Sequence, residues 1–519
     1  MNVSMPFSRF GLLLLCCTLG AAEGIANNIT TSAGSLVNNT GTTVQVQFNV
    51  TWANSWRIAP NRWDAAWVFV KYRASDGVWR HCSLNNTGHT APAGSTITPG
   101  LVNPTSAFNA STNPAVGAFI YRSADGSGTF TANGVQLLWN YSVNGVALID
   151  VAEIRVFAIE MVYVPQGAFA AGSGGSELSA FTLTTINTAN ATTAPSGVGS
   201  LGGQAGGYPT GQTAPTSASW PNGFNAFYCM KYEVSQQGYV DLLNTLTYTQ
   251  QVTCTATAPN SAAGTGALIS TNLNRNGIDI QNPGIASTTP ALYACNLNGN
   301  GVYGEATDGR DLACNFLSWG DLTAYLDWSG LRPMTELEFE KACRGTQLPV
   351  ANEYPWGTTA IAGSAYTLTA PGATNEGIAT NYSTTAGNAS YIITDNVIDG
   401  PLRVGIFAAN GSNGGRVTAG ASYYGIMELG GSLWERPVTI GNVDGRAFTG
   451  AHGNGVVAVN GDPDGATWPA PATALGAGFR GGAWADAATS MRVSDRNIAA
   501  DTGSVRFSNA GGRGARLSP

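Results

Sequence analysis

Four carboxylates late in the chain, Glu435, Asp486, Asp495 and Asp501, are the side chains best suited to acid–base work. Two acids held on either side of a glycosidic bond can act as proton donor and acceptor. Their spacing selects no pair, and acids exposed on a chain of net charge −7 are usually just solvated. Metal chemistry has little to draw on. The three histidines, His81, His89 and His452, are scattered, and no two cysteines form the CxxC spacing that structural zinc sites use. Chemistry therefore has to come from how larger elements place these groups.

The composition bounds those elements. A chain of 519 residues with 43% hydrophobic content and 13 Trp can build sizeable cores. Only 11% of residues are charged, with no Lys/Arg run or basic stripe, so nucleic acid and anionic membrane are excluded as partners. Residues 1–22 read as a secretory signal: Arg9 is the positive flank, an apolar stretch follows, and Gly20-Ala21-Ala22 is a small-residue cleavage site. The expected localisation is secreted, extracellular or at the cell surface. No later apolar run reaches the roughly 20 residues of a membrane span. Beyond the signal remain Cys82, Cys229, Cys254, Cys295, Cys314 and Cys343. In an oxidising compartment disulfides are the default, with Cys254–Cys295 and Cys314–Cys343 the expected pairs.

Residues 23–158 read as an all-β sandwich. Val44, Val46, Phe48 and Val50 alternate with Gln45, Gln47 and Asn49, the period of a strand with one face in a core. β-rich runs follow at 66–72, 118–122, 135–141 and 154–164, separated by Gly, Asn, Ser and Pro turns. The five tryptophans Trp52, Trp56, Trp63, Trp67 and Trp79 serve either core packing, the favoured reading, or sugar stacking. Helices are expected at 235–246, 319–328 and 336–343. In the last, Thr335 precedes Glu338 by three residues, which predicts a capping box. Stretches near 187–222 and 358–400 are rich in small and polar residues and read as insertions. The Asn296-Leu297-Asn298-Gly299-Asn300-Gly301 run mimics the start of a calcium loop, but its ligands are neutral amides, and a plain turn is the simpler reading.

The remaining motifs come in a fixed order. They are Met161-Val162-Tyr163-Val164-Pro165, Lys231-Tyr232-Glu233-Val234, Arg332-Pro333-Met334-Thr335-Glu336-Leu337-Glu338-Phe339-Glu340, Tyr354-Pro355-Trp356-Gly357, Leu433-Trp434-Glu435 and Gly478-Phe479-Arg480-Gly481-Gly482-Ala483-Trp484. This order resembles the formylglycine-generating enzyme (sulfatase-modifying factor) family over residues 159–519. The resemblance implies an α+β chain in which the sandwich precedes a loop-rich domain of C-type-lectin-like fold. It implies a structural role for Trp356, Trp434, Arg480, Trp484, Arg492 and Arg496, with the arginines capping carbonyls or pairing with Glu340, Glu435 and Asp495. Members that oxidise a sulfatase cysteine bind copper through two cysteines after the Arg-Gly-Gly-Ser-Trp block. Here Ala485-Asp486-Ala487-Ala488-Thr489-Ser490-Met491 occupies that stretch. Copper(I) selects soft thiolates, so neither copper nor the oxidase activity is expected. The family's calcium-associated motif is similar to Gly431-Ser432-Leu433-Trp434-Glu435-Arg436. Glu435 is thus the candidate calcium ligand, with Ser432 in the place of an amide.

These readings point to a secreted or cell-surface binding or adhesion protein whose partner is an extracellular glycan or protein. The C-terminus also resembles retroelement-diversified variable proteins, which set changeable residues in a constant frame. By that analogy the ligand-binding positions are Asp486, Thr489, Ser490, Asn497, Asp501, Ser504 and Ser508, small or polar residues between arginines. Two other readings stay open at this point: a self-associating surface-layer or filament subunit, and an enzyme using another site of the same fold.

Overall fold

A computed structural model describes residues 28–189, 215, 217–270 and 273–519. Residues 1–22, read above as an expected signal, and most of the stretch near 187–222 lie outside those residues. The described chain is mostly sheet and loop with a few short helices. Its first strands are β1 (Thr30–Thr31), β2 (Ser35–Val37), β3 (Val44–Ile58), β4 (Arg62–Ala74), β5 (Trp79–His81), β6 (Ser95–Leu101), β7 (Ala115–Arg122), β8 (Gly126–Trp139) and β9 (Val151–Val164). There follow β10 (Phe169–Ala171), β11 (Thr184–Ile186), β12 (Phe227–Met230), β13 (Ile278–Asn282), β14 (Leu292–Cys295), β15 (Arg332–Pro333), β16 (Thr367–Thr369), β17 (Gly377–Thr380) and β18 (Gly514–Leu517). The helices are α1 (Gln236–Leu243), α2 (Tyr248–Cys254), α3 (Trp319–Trp328), α4 (Glu336–Arg344), α5 (Ile392–Asp395) and α6 (Val443–Arg446).

One 12-stranded sheet runs β1-β3-β4-β9-β12-β18-β15, with β8 and β2 on β3, β5 and β7 on β4, and β6 on β7. The N-terminal strands and the C-terminal strand β18 therefore share one hydrogen-bonded surface. β9 is the joint: it pairs with β4 from Asp64↔Val162 to Ala74↔Val151 and with β12 from Phe227↔Val164 to Met230↔Met161.

The pattern of β4 explains why. Ala65, Trp67 and Phe69 enter one core, while Ala66, Val68, Val70 and Tyr72 enter another. A continuous apolar run is what a strand covered on both faces requires. β3 keeps the simpler alternation: Val44, Val46, Phe48 and Val50 are buried and Asn49 is exposed. The core on the Trp67 side also holds Tyr239, Leu242 and Leu243 of α1 and Leu322, Tyr325 and Trp328 of α3. Both helices thus lie against the inner strands. Of the five N-terminal tryptophans, Trp52 and Trp67 are fully buried. Trp63 is half-buried and stacked between Tyr121 and Tyr163.

The predicted helices form within a residue of their expected ends, except that the first stops at Leu243, three residues short of 246, and each begins on a side-chain cap. Ser235 accepts from Gly238 N, and Ser318 and Thr335 make full capping boxes with Asp321 and Glu338. α2 was not expected; it too starts on a capping box, Thr247 with Gln250. The stretch 358–400 differs from a plain loop insertion. It holds the β16–β17 hairpin and α5, and Ala362, Tyr366 and Ile378 pack with Leu402, Ile406 and Phe407 into a small core of their own.

The expected disulfides are not formed. Cys82, Cys229, Cys254, Cys295, Cys314 and Cys343 are all free and buried. Cys314 and Cys343 sit in different apolar cores, and the Cys254 thiol donates to the Gly461 carbonyl at 3.6 Å rather than meeting Cys295. They pack as small apolar residues. Burial pushes the Cys229 thiol up to about 12, far from thiolate reactivity.

Candidate functional site

The C-terminal surface is built on α4. Glu336 and Glu340 are one helical turn apart and so share a face, and both are fully buried. The Glu336 carboxylate accepts from Arg496 Nε at 2.7 Å, Arg480 Nη1 at 3.2 Å, Ile440 N at 2.9 Å and Thr439 Oγ1 at 3.0 Å. Glu340 accepts from Arg480 Nη2 at 3.0 Å, Arg344 Nη1 at 3.2 Å, Gly172 N at 2.8 Å and Ser494 Oγ at 3.3 Å. Burial works to raise the Glu336 carboxyl, but Arg496 and Arg480 outweigh it and hold the group below its ordinary value. Arg496 also lies over the Phe181 ring at 3.9 Å. Arg492 donates to Asn352, and Arg506 to Asp321 at 2.7 Å and the Thr253 carbonyl. The anticipated pairing of Arg480 with Glu340 is present. Glu336, which binds two arginines, was missed as a partner, although its spacing from Glu340 was visible in the sequence.

This framework holds the loops that carry the expected ligand-binding positions. Thr489, Asn497 and Asp501 are exposed, while Asp486, Ser490, Ser504 and Ser508 are half-buried. They form two groups. Asp486 accepts from Asn509 at 3.4 Å, next to Ser508, whose carbonyl takes the Trp484 indole N–H at 3.2 Å; Thr489 and Ser490 follow on a short 3-10 turn, Ala488–Met491. Asn497, Asp501 and Ser504 lie on the next loop, held by Arg436 Nη2 donating to the Gly503 carbonyl at 2.6 Å. Trp434, Phe479, Ala483 and Ala510 pack into one cluster with Ile498 against it, which connects the two loops. Trp434 and Trp484 keep 7% and 9% of their surface exposed, so only ring edges reach this face. Trp356 is fully buried against Tyr354, with its N–H on the Ala360 carbonyl, and packs with Met491 and Ala488 beneath the turn that carries Thr489 and Ser490.

The four candidate acids do not converge on one another in their hydrogen bonds. Asp486 bonds Asn509, Asp495 bonds Asn497 N, Asp501 bonds Gly503 N, and Glu435 bonds Arg513. Burial raises the Asp486 and Asp495 carboxyls.

Glu435 also fails as a calcium ligand. Its carboxylate accepts from Arg513 Nε, and the same guanidinium donates to the Met427, Glu428 and Lys231 carbonyls at 2.8, 3.0 and 3.1 Å. Ser432 donates to Glu233 at 2.9 Å, and Glu233 also takes the Leu433 N–H. The protein's own guanidinium thus serves as the cation, and a divalent ion beside it would meet direct repulsion. Around Arg513, burial raises Glu233 and Glu435 and pushes Glu428 up to about 7. Among the described residues no group of three or more His, Cys, Asp or Glu side chains could hold a metal. Thermal melting is therefore expected to be unchanged, within a degree or so, by excess calcium or by a chelator. A chelator-induced fall of several degrees, reversed by calcium, would show the assignment of Arg513 to be wrong.

Among the described residues no helix is long and apolar enough to cross a membrane. No curated protein matches the chain. Residues 155–516 match the family described as sulfatase-modifying factor enzyme 1-like domain, from inside β9 to the penultimate residue of β18. All the motif positions from Met161 onward, and the glutamate–arginine framework on α4, fall within that match. On this ground the chain belongs to the sulfatase-modifying factor enzyme 1-like domain family.

Proposed function

We propose that the protein is a secreted or cell-surface binding or adhesion protein, and that its family domain recognises an extracellular glycan or protein without oxidase chemistry. In this reading residues 1–22 are a signal, 23–158 a β-sandwich and 159–519 a C-type-lectin-like domain. The observation that carries it is the pairing of a rigid frame with chemically plain loops. Arg480 and Arg496 are buried and doubly tied to α4, while the seven candidate positions Asp486, Thr489, Ser490, Asn497, Asp501, Ser504 and Ser508 are exposed or half-buried polar groups. Loops held on rigid scaffolds are where recognition residues concentrate. The stretch 485–491, where the family's oxidases carry paired thiolates, has Met491 as its one sulfur-bearing residue, and Met491 is buried.

The test is a binding screen of the mature protein on glycan and cell-surface arrays beside the triple variant Thr489→Ala, Asn497→Ala, Asp501→Ala. Among the described residues the exposed Thr489 and Asn497 side chains have no hydrogen-bond partner to lose, and Asp501 accepts from the neighbouring Gly503 N–H and adds a charge interaction with Arg436. Melting should therefore stay within about 2 °C of the wild type. Binding is expected to fall by about tenfold or more. Full retention of binding by the variant would remove the C-terminal loops from the recognition surface.

A further inference from the structure

Away from the C-terminal loops, a cleft of about 700 Å³ opens where the N-terminal strands meet the family domain. One wall is the segment after β6, around Asn103. The opposite walls come from the chain before β12, which carries Asn225, and from the loops that carry Asn454 and Asp464. The floor is Arg332 of β15, Glu338 of α4 and His452. None of the seven positions of the C-terminal loops lines it. The volume is that of an ordinary small-molecule site.

Its charges are largely cancelled at source. Arg332 grips Glu338 through both ends of its guanidinium, at 2.8 and 2.6 Å. Such a bidentate pair spends the charge on the protein itself. His452 is buried, and its Nε2 accepts the Leu517 N–H at 3.0 Å, so the ring is neutral with its proton on Nδ1. Unspent hydrogen-bonding capacity remains. The Nε of Arg332, a residue only 1% exposed, is buried without a partner. The His452 Nδ1–H faces the Val102 carbonyl and is not available in the same way. On the walls, the exposed Asn225 amide has no partner among the described residues, and the Asp464 carboxyl accepts from Asn454 Nδ2 at 3.0 Å and shares a hydrogen bond with the Asp327 side chain. The cleft so combines one fixed N–H donor below, Arg332 Nε, with an amide and a carboxyl at its sides. Donors and acceptors set side by side match a sugar's vicinal hydroxyls, each of which both donates and accepts. A carboxylate or sulfate on the ligand would instead face Asp464 with no free cation to offset it.

We propose that this cleft is a second binding site, selective for an uncharged saccharide of two or three units, and separate from the C-terminal recognition surface. It needs the N-terminal strands and the family domain together, which gives their shared sheet a role in recognition. The proposal does not depend on the C-terminal loops binding anything.

The test is calorimetric titration of the full mature protein with four neutral trisaccharides, of glucose, mannose, galactose and N-acetylglucosamine, and with a trimer of galacturonic acid as the acidic counterpart. At least one neutral probe should bind in the micromolar to millimolar range, and the acidic probe at least tenfold more weakly. Asn225→Ala and Asp464→Ala should each weaken binding about fivefold to tenfold, the loss of one or two hydrogen bonds. Asn225→Trp, which fills the mouth from an exposed position, should abolish binding without changing the melting temperature. The Thr489/Asn497/Asp501 triple variant should bind the trisaccharide as the wild type does, which keeps this site distinguishable from the C-terminal surface. Absence of binding by all four neutral probes, tighter binding of the acidic one, or unchanged affinity in Asn225→Trp would each overturn the proposal.

Discussion

Arg480→Met is expected to lower the folding free energy by about 3–5 kcal/mol, the cost of removing one partner from a buried ion pair. Arg480 is fully buried and bridges Glu336 at 3.2 Å and Glu340 at 3.0 Å while donating to the Val493 carbonyl at 2.6 Å. The apolar replacement leaves Glu340 with Arg344 as its remaining cation and Glu336 with Arg496 alone. The same variant makes a prediction in pH. The Glu336 carboxyl is held below its ordinary value in the folded protein, so its contribution to stability is present above the unfolded pKa and is lost as pH falls through the folded one. Weakening the arginine field raises the folded pKa. The acid-unfolding midpoint of Arg480→Met should therefore lie at higher pH than that of the wild type, as followed by near-ultraviolet circular dichroism. An unchanged acid midpoint together with a loss under 1 kcal/mol would show that α4 does not depend on this arginine.

Trp67→Ala is the second large effect, about 3–5 kcal/mol. The ring is fully buried, its N–H donates to the Ser329 carbonyl at 2.7 Å, and the Arg516 guanidinium lies over it at 4.4 Å. The packing leaves no slack, since a Cβ at Gly117 would come within 2.5 Å of the ring and one at Gly100 within 2.7 Å. The cavity cannot close by a small shift of rigid sheet neighbours, so most of the lost packing is felt. Trp67 stands on β4 and faces the core that holds α1 and α3. Its removal should consequently lower one cooperative transition for the whole chain in calorimetry. A variant that instead melted in two steps, with the N-terminal strands leaving first, would show that β4 and β9 do not couple the two regions.

The parts of the fold that were legible in the sequence are those decided within a few residues. The alternation 44–50 marked a half-buried strand because a strand's faces alternate with period two. Thr335, three residues before Glu338, marked a helix start because a free amide needs a nearby oxygen. What escaped was decided across the chain. α2 was missed because its apolar face is short, although its Thr247–Gln250 capping box is of the same kind as the others. The run 358–400 looked like loop because its few apolar residues find partners at 402–407 rather than near one another. The cysteine count suggested disulfides, yet pairing depends on where thiols point, and these lie in separate cores or donate to carbonyls. Of the proposed site, the choice of small polar positions between arginines rested on analogy to the fold, not on spacing. Their division into two loops joined by Trp434 and Phe479 was not legible in the sequence, nor was the cleft, whose walls stand more than a hundred residues apart.

By itself the sequence determined the family, through motifs in fixed order from Met161 to Trp484, and the absence of cysteine from residues 485–491, since both are matters of which residue stands where. Only the tertiary structure decided that β4 and β9 carry two cores in one sheet, that Arg513 takes the place of a metal at Glu435, and that Asn225, Asp464 and Arg332 line one cleft. The reason is the range of the forces involved. Residue identity and local hydrogen bonding are set along the chain, whereas desolvation and ion pairing act only on groups that folding has brought within a few ångströms of one another.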